Sequence, residues 1–323
     1  MAPSPRRTRQ TSKNLISKSD PPSQPEKQVK TEDAASKPVP HPGTIHLLPK
    51  RPTSTITKLN KSDHRLLLRK HDLLQQYDIH TPRHFQRHSQ AVSATLVFAQ
   101  EEAGTAVCIR SDGLLLTCSH CIADTSAELD YDKPHWLLFA SGRLVAAKCV
   151  AWDSHRDLAL MKITAAQCIS PIPPFNPNMA AKSTSSLTNN PIADKDSSEA
   201  FRFPAVSIAT DAPPLKAPLV CVGHPGSEDL EASEPGVKTN YDVLHLSEGA
   251  YRGIARGQDL QDNSEIGALQ HDCWTYWGHS GAPLLDGTSG ELVGLHSSWD
   301  DETGMRRGVP LEAIQEFLAE NAL

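Results

Sequence analysis

The run Tyr276-Trp277-Gly278-His279-Ser280-Gly281-Ala282-Pro283-Leu284 places a serine on a glycine-bounded turn, just ahead of an apolar strand. Glycine lets the backbone approach a substrate carbonyl closely, so the N–H groups of Gly278 and Ser280 can converge on a developing oxyanion. By itself a G-x-S-G string is a weak signal, because short motifs recur by chance. Its weight comes from two upstream segments, which supply a histidine and an aspartate in the order His, Asp, Ser.

The first upstream segment, Gly104–Cys121, reads as a strand, a polar turn and a second strand that ends at His120. In the second segment Asp157 stands just before the apolar run Leu158–Ile163. A serine hydroxyl needs a base with a pKa near 7, and that base needs an orienting acceptor. His120, Asp157 and Ser280 would fill these three roles, and they lie far apart in sequence as members of a triad usually do.

These segments resemble the trypsin-like serine peptidases, and the HtrA-type branch more closely than the digestive enzymes. Thr117–Cys121 resembles the family's T-A-A-H-C block, Asp157–Leu160 resembles D-[LI]-A-[LV], and Gly278–Pro283 resembles G-[DN]-S-G-G-P. Three flanking blocks also match in order: Val220–Gly226, Leu269–Asp272 and Glu291–Ser297. The resemblance covers roughly residues 91–318 and implies an all-β fold of two antiparallel six-stranded β-barrels, with the catalytic cleft between them.

The resemblance also implies roles for individual residues. Ser280 would attack a peptide carbonyl while His120 takes its proton, Asp157 would hold the imidazole, and Ser297 would hydrogen-bond that carboxylate. The family's substrate pocket would be lined here by Trp274, Thr275, Tyr276, Ser297 and Ser298, followed by Trp299. Because Trp274 replaces the acidic residue of trypsin-type pockets, we predict cleavage after uncharged residues. The alternative, that Trp274 and Trp277 occlude the pocket, stays open at this point.

Three departures from the family pattern carry expectations of their own. His279 stands where secreted members have aspartate, which predicts that activation by a new N-terminus is absent. Ala282 replaces the second glycine of the motif, and its added methyl group is expected to affect the loop conformation slightly and not the chemistry. Glu102 lies close to where a disulfide partner of Cys121 would stand, so we predict no disulfide there. We also expect no PDZ-like domain after the peptidase fold.

Cysteine usage and the N-terminal sequence bear on the compartment. The chain has seven cysteines, an odd number, which favours buried reduced thiols. It has no secretory hydrophobic region and no apolar run long enough to span a membrane. We therefore predict an intracellular protein, cytoplasmic or nuclear. Five basic residues and no acidic ones among the first eighteen leave a mitochondrial presequence as the minor alternative.

The charge divides the chain into a basic tail and an acidic body. Residues 1–90 carry 17 Lys+Arg against 7 Asp+Glu, a net charge of +10, whereas the remaining residues carry −16. Residues 1–60 are rich in Pro, Ser and Thr, which predicts a disordered tail. A solubilising role is the plain interpretation, and weak binding to nucleic acid is the alternative. Residues 61–90 should form an amphipathic helix and a connector, and residues 91–323 the peptidase domain.

The helix should run from Asn60 to Tyr77, with Ser62 as its cap, and pack on the peptidase domain or on a partner. Residues 165–203 read as a polar linker or insertion, and residues 309–323 as a terminal helix with Leu311, Ile314, Phe317 and Leu318 inward. Twelve strands are predicted, six for each barrel, at 92–99, 104–109, 113–117, 135–140, 143–151, 157–163, 205–209, 218–223, 242–249, 265–271, 282–286 and 291–297.

Metal and cofactor signals are weak. Cys118 and Cys121 form a C-x-x-C pair, but a zinc site would need a second pair of ligands at related spacing. His84 and His88 read as surface histidines. We therefore predict no metal and no cofactor. Two functions remain open: an intracellular serine endopeptidase acting on protein or peptide substrates, and an inactive pseudoprotease that uses the double barrel as a peptide-binding scaffold.

Overall fold

Strands dominate the computed structural model, which describes residues 45–76, 83–100, 104–168, 202–228, 233–234 and 237–321. Short 3-10 turns cover Arg83–His88 and Ser119–Cys121. The helices are α1 Ser54–Thr57, α2 Lys61–Gln76, α3 Ser89–Ala94 and α4 Leu311–Glu320. The strands are β1 His46–Leu48, β2 Thr95–Phe98, β3 Thr105–Arg110, β4 Leu114–Thr117, β5 His135–Phe139, β6 Leu144–Asp153, β7 Leu158–Gln167, β8 Pro218–Gly223, β9 His245–Ile254, β10 Leu269–His271, β11 Pro283–Asp286, β12 Leu292–Trp299 and β13 Arg306–Pro310.

The first barrel contains six antiparallel strands in the order β7-β4-β3-β2-β5-β6, closed by pairing of β6 with β7. All six strands of this barrel were predicted near their observed positions. Leu114–Thr117 is buried along its whole length, as expected where both faces of a strand are covered. Two register shifts in the β6–β7 ladder supply the bending that barrel closure requires.

The second barrel also has six antiparallel strands, in the closed order β10-β13-β12-β11-β8-β9. Two closed barrels confirm the predicted fold class, but one strand was assigned wrongly. The segment 205–209 contributes an isolated bridge between Ile208 and Leu292, and β13 takes the sixth position. No strand was predicted at β13, where Arg306 and Arg307 interrupt the apolar pattern. Arg307 is only 5% exposed, and its guanidinium donates to the Gly267 carbonyl.

Helix α2 packs on the first barrel. Its residues Leu67 and Leu74 are buried in one cluster with Leu138 and Leu144 of that barrel. The predicted cap was wrong by two residues, because the side chain of Asn60, and not that of Ser62, accepts the hydrogen bond from a first-turn N–H, at 2.9 Å. The predicted last helical residue, at position 77, lies outside the described residues.

Part of the predicted N-terminal tail has regular structure. Strand β1 runs parallel to β7, with His46 opposite Ala165, and α1 follows it. The side-chain amide of Gln167 donates to the carbonyls of Pro49 and Lys50 at 3.1 and 2.7 Å. Composition cannot reveal such a segment, because its stability comes from backbone pairing with a distant strand. The rest of the tail, residues 1–44, and residues 169–201 of the predicted linker lie outside the described residues.

Helix α4 confirms the predicted C-terminal helix, although it begins two residues later than expected. Val309 and Pro310 pair with β12 and end β13, and the helix then buries Leu311, Ile314 and Phe317. Within the part of the chain that the structure describes, no helix combines the length and the apolar character that a membrane span requires.

Candidate active site

The three residues of the predicted triad come from both barrels. His120 lies in the 3-10 turn after β4, and Asp157 lies directly before β7. Ser280 lies in the turn before β11 of the second barrel. The Ser280 carbonyl accepts a hydrogen bond from the N–H of Thr105 in β3, at 2.8 Å. The nucleophile turn therefore sits directly against the first barrel.

The carboxylate of Asp157 is the best-connected group of the site. The residue is 5% exposed. One oxygen accepts from His120 Nδ1 at 2.8 Å and from Ser119 Oγ at 3.0 Å. The other accepts from Ser297 Oγ at 2.7 Å. Burial alone would raise the pKa of Asp157, but the charge of His120 and these hydrogen bonds lower it below its ordinary value.

Asp157 reaches this position through unusual backbone geometry. Its φ is 54°, in the left-handed region that side-chain-bearing residues rarely occupy. The preceding turn is held because Asp153 Oδ1 accepts from the N–H groups of His155 and Arg156 at 2.9 and 3.0 Å. The Arg156 guanidinium then donates to both carboxylate oxygens of Glu320 on α4, at 2.7 and 2.8 Å. Helix α4 thus anchors the loop that presents the carboxylate.

His120 has the orientation that a general base needs. Its Nδ1 lies 2.8 and 3.1 Å from the two Asp157 oxygens, which fixes the proton of the neutral ring on Nδ1 and the lone pair on Nε2. Its side chain is 37% exposed, in contrast to the buried carboxylate behind it. The pair therefore joins a buried anion to a solvent-facing imidazole.

Ser280 is linked to the same network through Ser297. Its Oγ donates to the Ser297 carbonyl at 3.2 Å, and the Ser297 hydroxyl donates to Asp157. The next residue, Gly281, has a φ of 81°, and a Cβ there would lie 2.1 Å from the Thr105 carbonyl oxygen. Only glycine fits at that position, so the G-x-S-G pattern has a steric cause in this fold.

The turn before Ser280 presents its N–H groups outward. The Trp277 carbonyl accepts from the N–H of Gly226 at 2.7 Å. The C=O and N–H of a trans peptide point in opposite directions, which fixes the direction of the Gly278 N–H. Gly278 has a φ of 102°. Within the described residues, the N–H groups of Gly278 and Ser280 donate to no acceptor, as an oxyanion-binding pair requires.

His279 and Ala282, the two departures within the motif, are both fully buried. His279 Nδ1 lies 3.2 and 3.1 Å from the backbone N and O of Tyr276, so the imidazole holds the turn from inside. Ala282 packs in the core of the second barrel with Leu284 and Val293. The extra methyl group therefore fills core space behind the turn.

The residues of the predicted pocket differ widely in exposure. Thr275 and Ser297 are buried, whereas Trp274 and Trp277 are 54% and 53% exposed. The guanidinium carbon of Arg306 lies 4.3 Å from the centre of the Trp274 ring, a cation–π contact. A positive charge therefore stands beside the residue that replaces the acid of trypsin-type pockets.

Sequence reasoning missed Ser119, whose buried hydroxyl donates to Asp157. Ser119 stands immediately before His120 in the matching block, but nothing in the sequence distinguishes it from the chain's other serines. It also missed Arg306, since that residue belongs to the unpredicted strand β13. Trp152 Nε1 donates to the Ser119 carbonyl at 3.0 Å and so fixes this turn from the first barrel.

Cys118, His120 and Asp157 bring potential metal-ligand atoms within 4.8 Å of one another. Their contacts favour a hydrogen-bonded network instead. Burial raises the pKa of the Cys118 thiol well above its ordinary value, and this thiol donates to the His296 carbonyl. The Asp157 oxygens already accept from several donors. The Cys121 thiol lies 3.6 Å from the Ser280 carbonyl oxygen, to which it donates.

Comparison with known proteins found a family model and solved structures that are similar to this chain. The chain matches the crystal structure of the serine endoprotease from Yersinia pestis at 18% identity and a TM-score of 0.47, over 74% of this chain. It spans 66% of the length of that protein's chain. No curated protein matches. The model of the trypsin-like peptidase domain matches residues 104–295, more than half of the chain. The chain therefore belongs to the trypsin-like peptidase domain family.

Proposed function

We propose that this protein is a serine endopeptidase that hydrolyses peptide bonds through His120, Asp157 and Ser280. One observation carries the proposal: the buried Asp157 carboxylate binds His120 Nδ1 and, through the hydroxyl of Ser297, connects to the turn that bears Ser280. Acyl transfer by a serine needs a nucleophile, a base that takes its proton and an anion that orients the base.

In the proposed reaction, His120 Nε2 takes the proton from Ser280 Oγ as that oxygen attacks the scissile carbonyl. The N–H groups of Gly278 and Ser280 bind the oxyanion of the tetrahedral intermediate. His120 then gives the proton to the leaving amine, and the acyl-enzyme forms. Water then attacks the acyl-enzyme while His120 takes its proton. His120 returns this proton to Ser280 Oγ as the carboxylic acid leaves. Asp157 stays ionised throughout, because its hydrogen bonds hold its pKa low.

The proposed substrates are proteins or peptides with an uncharged residue on the acyl side of the cleaved bond. A basic residue there would meet Arg306 beside Trp274 instead of a carboxylate. Like charges in a partly desolvated pocket disfavour binding. A peptide-library profile dominated by arginine or lysine would contradict this specificity.

An intracellular location is part of the proposal. Five of the seven cysteines are buried: Cys108, Cys118, Cys149, Cys221 and Cys273. Burial raises the pKa of each of these thiols, which keeps them protonated and unreactive. Free thiols of this kind are typical of a reducing compartment.

A second candidate function is peptide binding without hydrolysis. The exposed rings of Trp274 and Trp277, on either side of Tyr276, form an aromatic surface next to the nucleophile turn. Such a surface can hold a peptide whether or not the serine reacts.

Labelling with a fluorophosphonate probe separates the two functions, with Ser280→Ala as the variant and Ser289→Ala, in an exposed turn, as the matched control. We expect labelling of the wild type and of Ser289→Ala, and none of Ser280→Ala. If the folded wild type does not react, the peptidase proposal fails and the binding function is favoured.

A further inference from the structure

Four histidines form a connected group behind the nucleophile turn. His245 belongs to β9, His271 to β10 and His296 to β12, while His279 directly precedes Ser280. Neighbouring ring centres lie 5.5 Å apart for His245 and His279, 6.4 Å for His279 and His296, and 5.2 Å for His296 and His271. We call these four residues the histidine chain.

An additional proton on the histidine chain would create an N–H group that needs a hydrogen-bond acceptor, and several of the ring nitrogens have no acceptor nearby. His271 Nε2 and His296 Nδ1 are 3.1 Å apart, so one nitrogen must donate and the other accept. His279 Nδ1 is engaged by the Tyr276 backbone. Three of the five remaining ring nitrogens, His245 Nδ1, His271 Nδ1 and His279 Nε2, are buried and have no hydrogen-bond partner within the described residues. His296 also has a hydrogen bond to the Arg307 backbone.

The charges around the chain also oppose protonation. Burial and then the nearby Arg306 lower the pKa of His271 to about 3. Burial likewise lowers the pKa of His279 and His296 well below the ordinary value. The groups that face the chain are His224 towards His279, Arg306 and His120 towards His296, Arg306 towards His271, and Asp242 towards His245. Among the described residues, Asp242 is the one carboxylate of this set, at the far end from His271.

We propose that the histidine chain is an acid-sensitive lock on the nucleophile turn, which opens in mild acid while the first barrel stays folded. Where Nδ1 of the neutral His279 ring donates to the Tyr276 carbonyl, a second proton places an N–H on the buried Nε2, where no described acceptor lies. Where Nδ1 accepts from the Tyr276 N–H, the second proton goes to Nδ1 and removes that acceptor. Protonation of both His271 and His296 directs two N–H groups at each other. Either event favours a state in which these rings reach water.

Backbone contacts carry this change to the reacting residues. The His296 carbonyl accepts from the N–H of Gly281 at 2.8 Å, and the His296 N–H donates to the carbonyl of Ala282 at 2.9 Å. Displacement of His296 therefore moves the strand next to Ser280. It also moves Ser297, whose hydroxyl donates to Asp157.

The direction of the pH effect follows from the protonation states. The rings are neutral in the closed turn, whereas an exposed imidazole takes up a proton near pH 6.5. The closed state therefore weakens as the pH falls below about 6.5. For each proton taken up, the opening equilibrium shifts about tenfold per pH unit. A chain of several rings gives a steeper response than one histidine.

The test is hydrogen exchange of Ser280→Ala at about pH 7.5 and about pH 5.5, spanning the ordinary histidine pKa, with rates corrected for intrinsic exchange. We expect protection in residues 274–284 to fall about tenfold or more, while residues 105–117 of the first barrel keep theirs. Equal loss of protection in both segments would overturn the proposal, because it would mean global acid unfolding.

Two variants test whether the opening in acid depends on the histidine chain. His279→Asn keeps a donor and an acceptor for the Tyr276 backbone but cannot titrate. His271→Gln likewise keeps a donor and an acceptor, here facing His296, and cannot titrate. The matched control is His155→Asn, whose side chain is 63% exposed. We expect either folded variant to open at lower pH than the parent, and the control to open at the parent's pH. Opening of both chain variants at the parent's pH would also overturn the proposal.

This inference deepens the proposed function, since the lock acts on its nucleophile turn, but the exchange test does not depend on hydrolysis. If the wild type fails to react with the probe and the turn still opens in acid, the peptidase proposal fails and the lock stands. If the wild type reacts at about pH 7.5 and acid leaves the turn closed, the lock proposal fails and the peptidase proposal stands.

Discussion

Ser297→Ala is the substitution that most directly tests the network around Asp157. It removes the hydroxyl that donates to Asp157 Oδ2 at 2.7 Å and leaves the backbone carbonyl that accepts from Ser280 Oγ. A hydrogen bond to a charged group contributes about 1.5–3 kcal/mol. This bond stabilises the anion that must balance the imidazolium, so we expect its loss to appear mainly in the transition state.

At about 1.4 kcal/mol for each factor of ten, the substitution should slow the reaction of Ser280 roughly 10- to 100-fold. The assay is the second-order rate constant for fluorophosphonate labelling, which needs no known substrate. Ser289→Ala, in an exposed turn, is the matched control. A rate within about twofold of wild type for Ser297→Ala, at unchanged thermal stability, would refute the assigned role.

Two further predictions concern the turn and the base. Gly281→Ala combines a φ of 81° with a Cβ only 2.1 Å from the Thr105 carbonyl oxygen, so we expect a loss of about 2–5 kcal/mol in urea unfolding. Gly257→Ala has a φ of 79° and no neighbour within 4 Å; an equal loss there would show that backbone strain alone matters. Labelling of Ser280 should decline as the pH falls and His120 is protonated, and a flat rate from about pH 8 to about pH 5 would exclude His120 as the base.

The strands of the first barrel could be read from sequence because each is an apolar run between turn residues. The same logic found β8 to β12, but it failed where stability comes from specific pairing. Strand β13 carries Arg306 and Arg307, whose burial depends on backbone and side-chain acceptors supplied elsewhere. Strand β1 depends on β7 in the same way.

At the candidate site, residue types and their order gave His120, Asp157 and Ser280, and the family resemblance added Ser297. They did not give the donors that complete the Asp157 shell, because hydroxyls such as that of Ser119 are too common to stand out. The histidine chain escaped notice for a related reason. Its members lie on three strands and a turn, so nothing in the sequence shows that the rings meet.

The clamp between Arg156 and Glu320 has a consequence for the order of synthesis. The first barrel, with His120 and Asp157, leaves the ribosome long before Ser280 is made, and Glu320 follows later still. The loop that presents the carboxylate therefore gains its anchor only when α4 is complete. A nascent chain of that length carries the proposed base and its acid partner but neither the proposed nucleophile nor the clamp, so the proposed site is assembled only when α4 has been made.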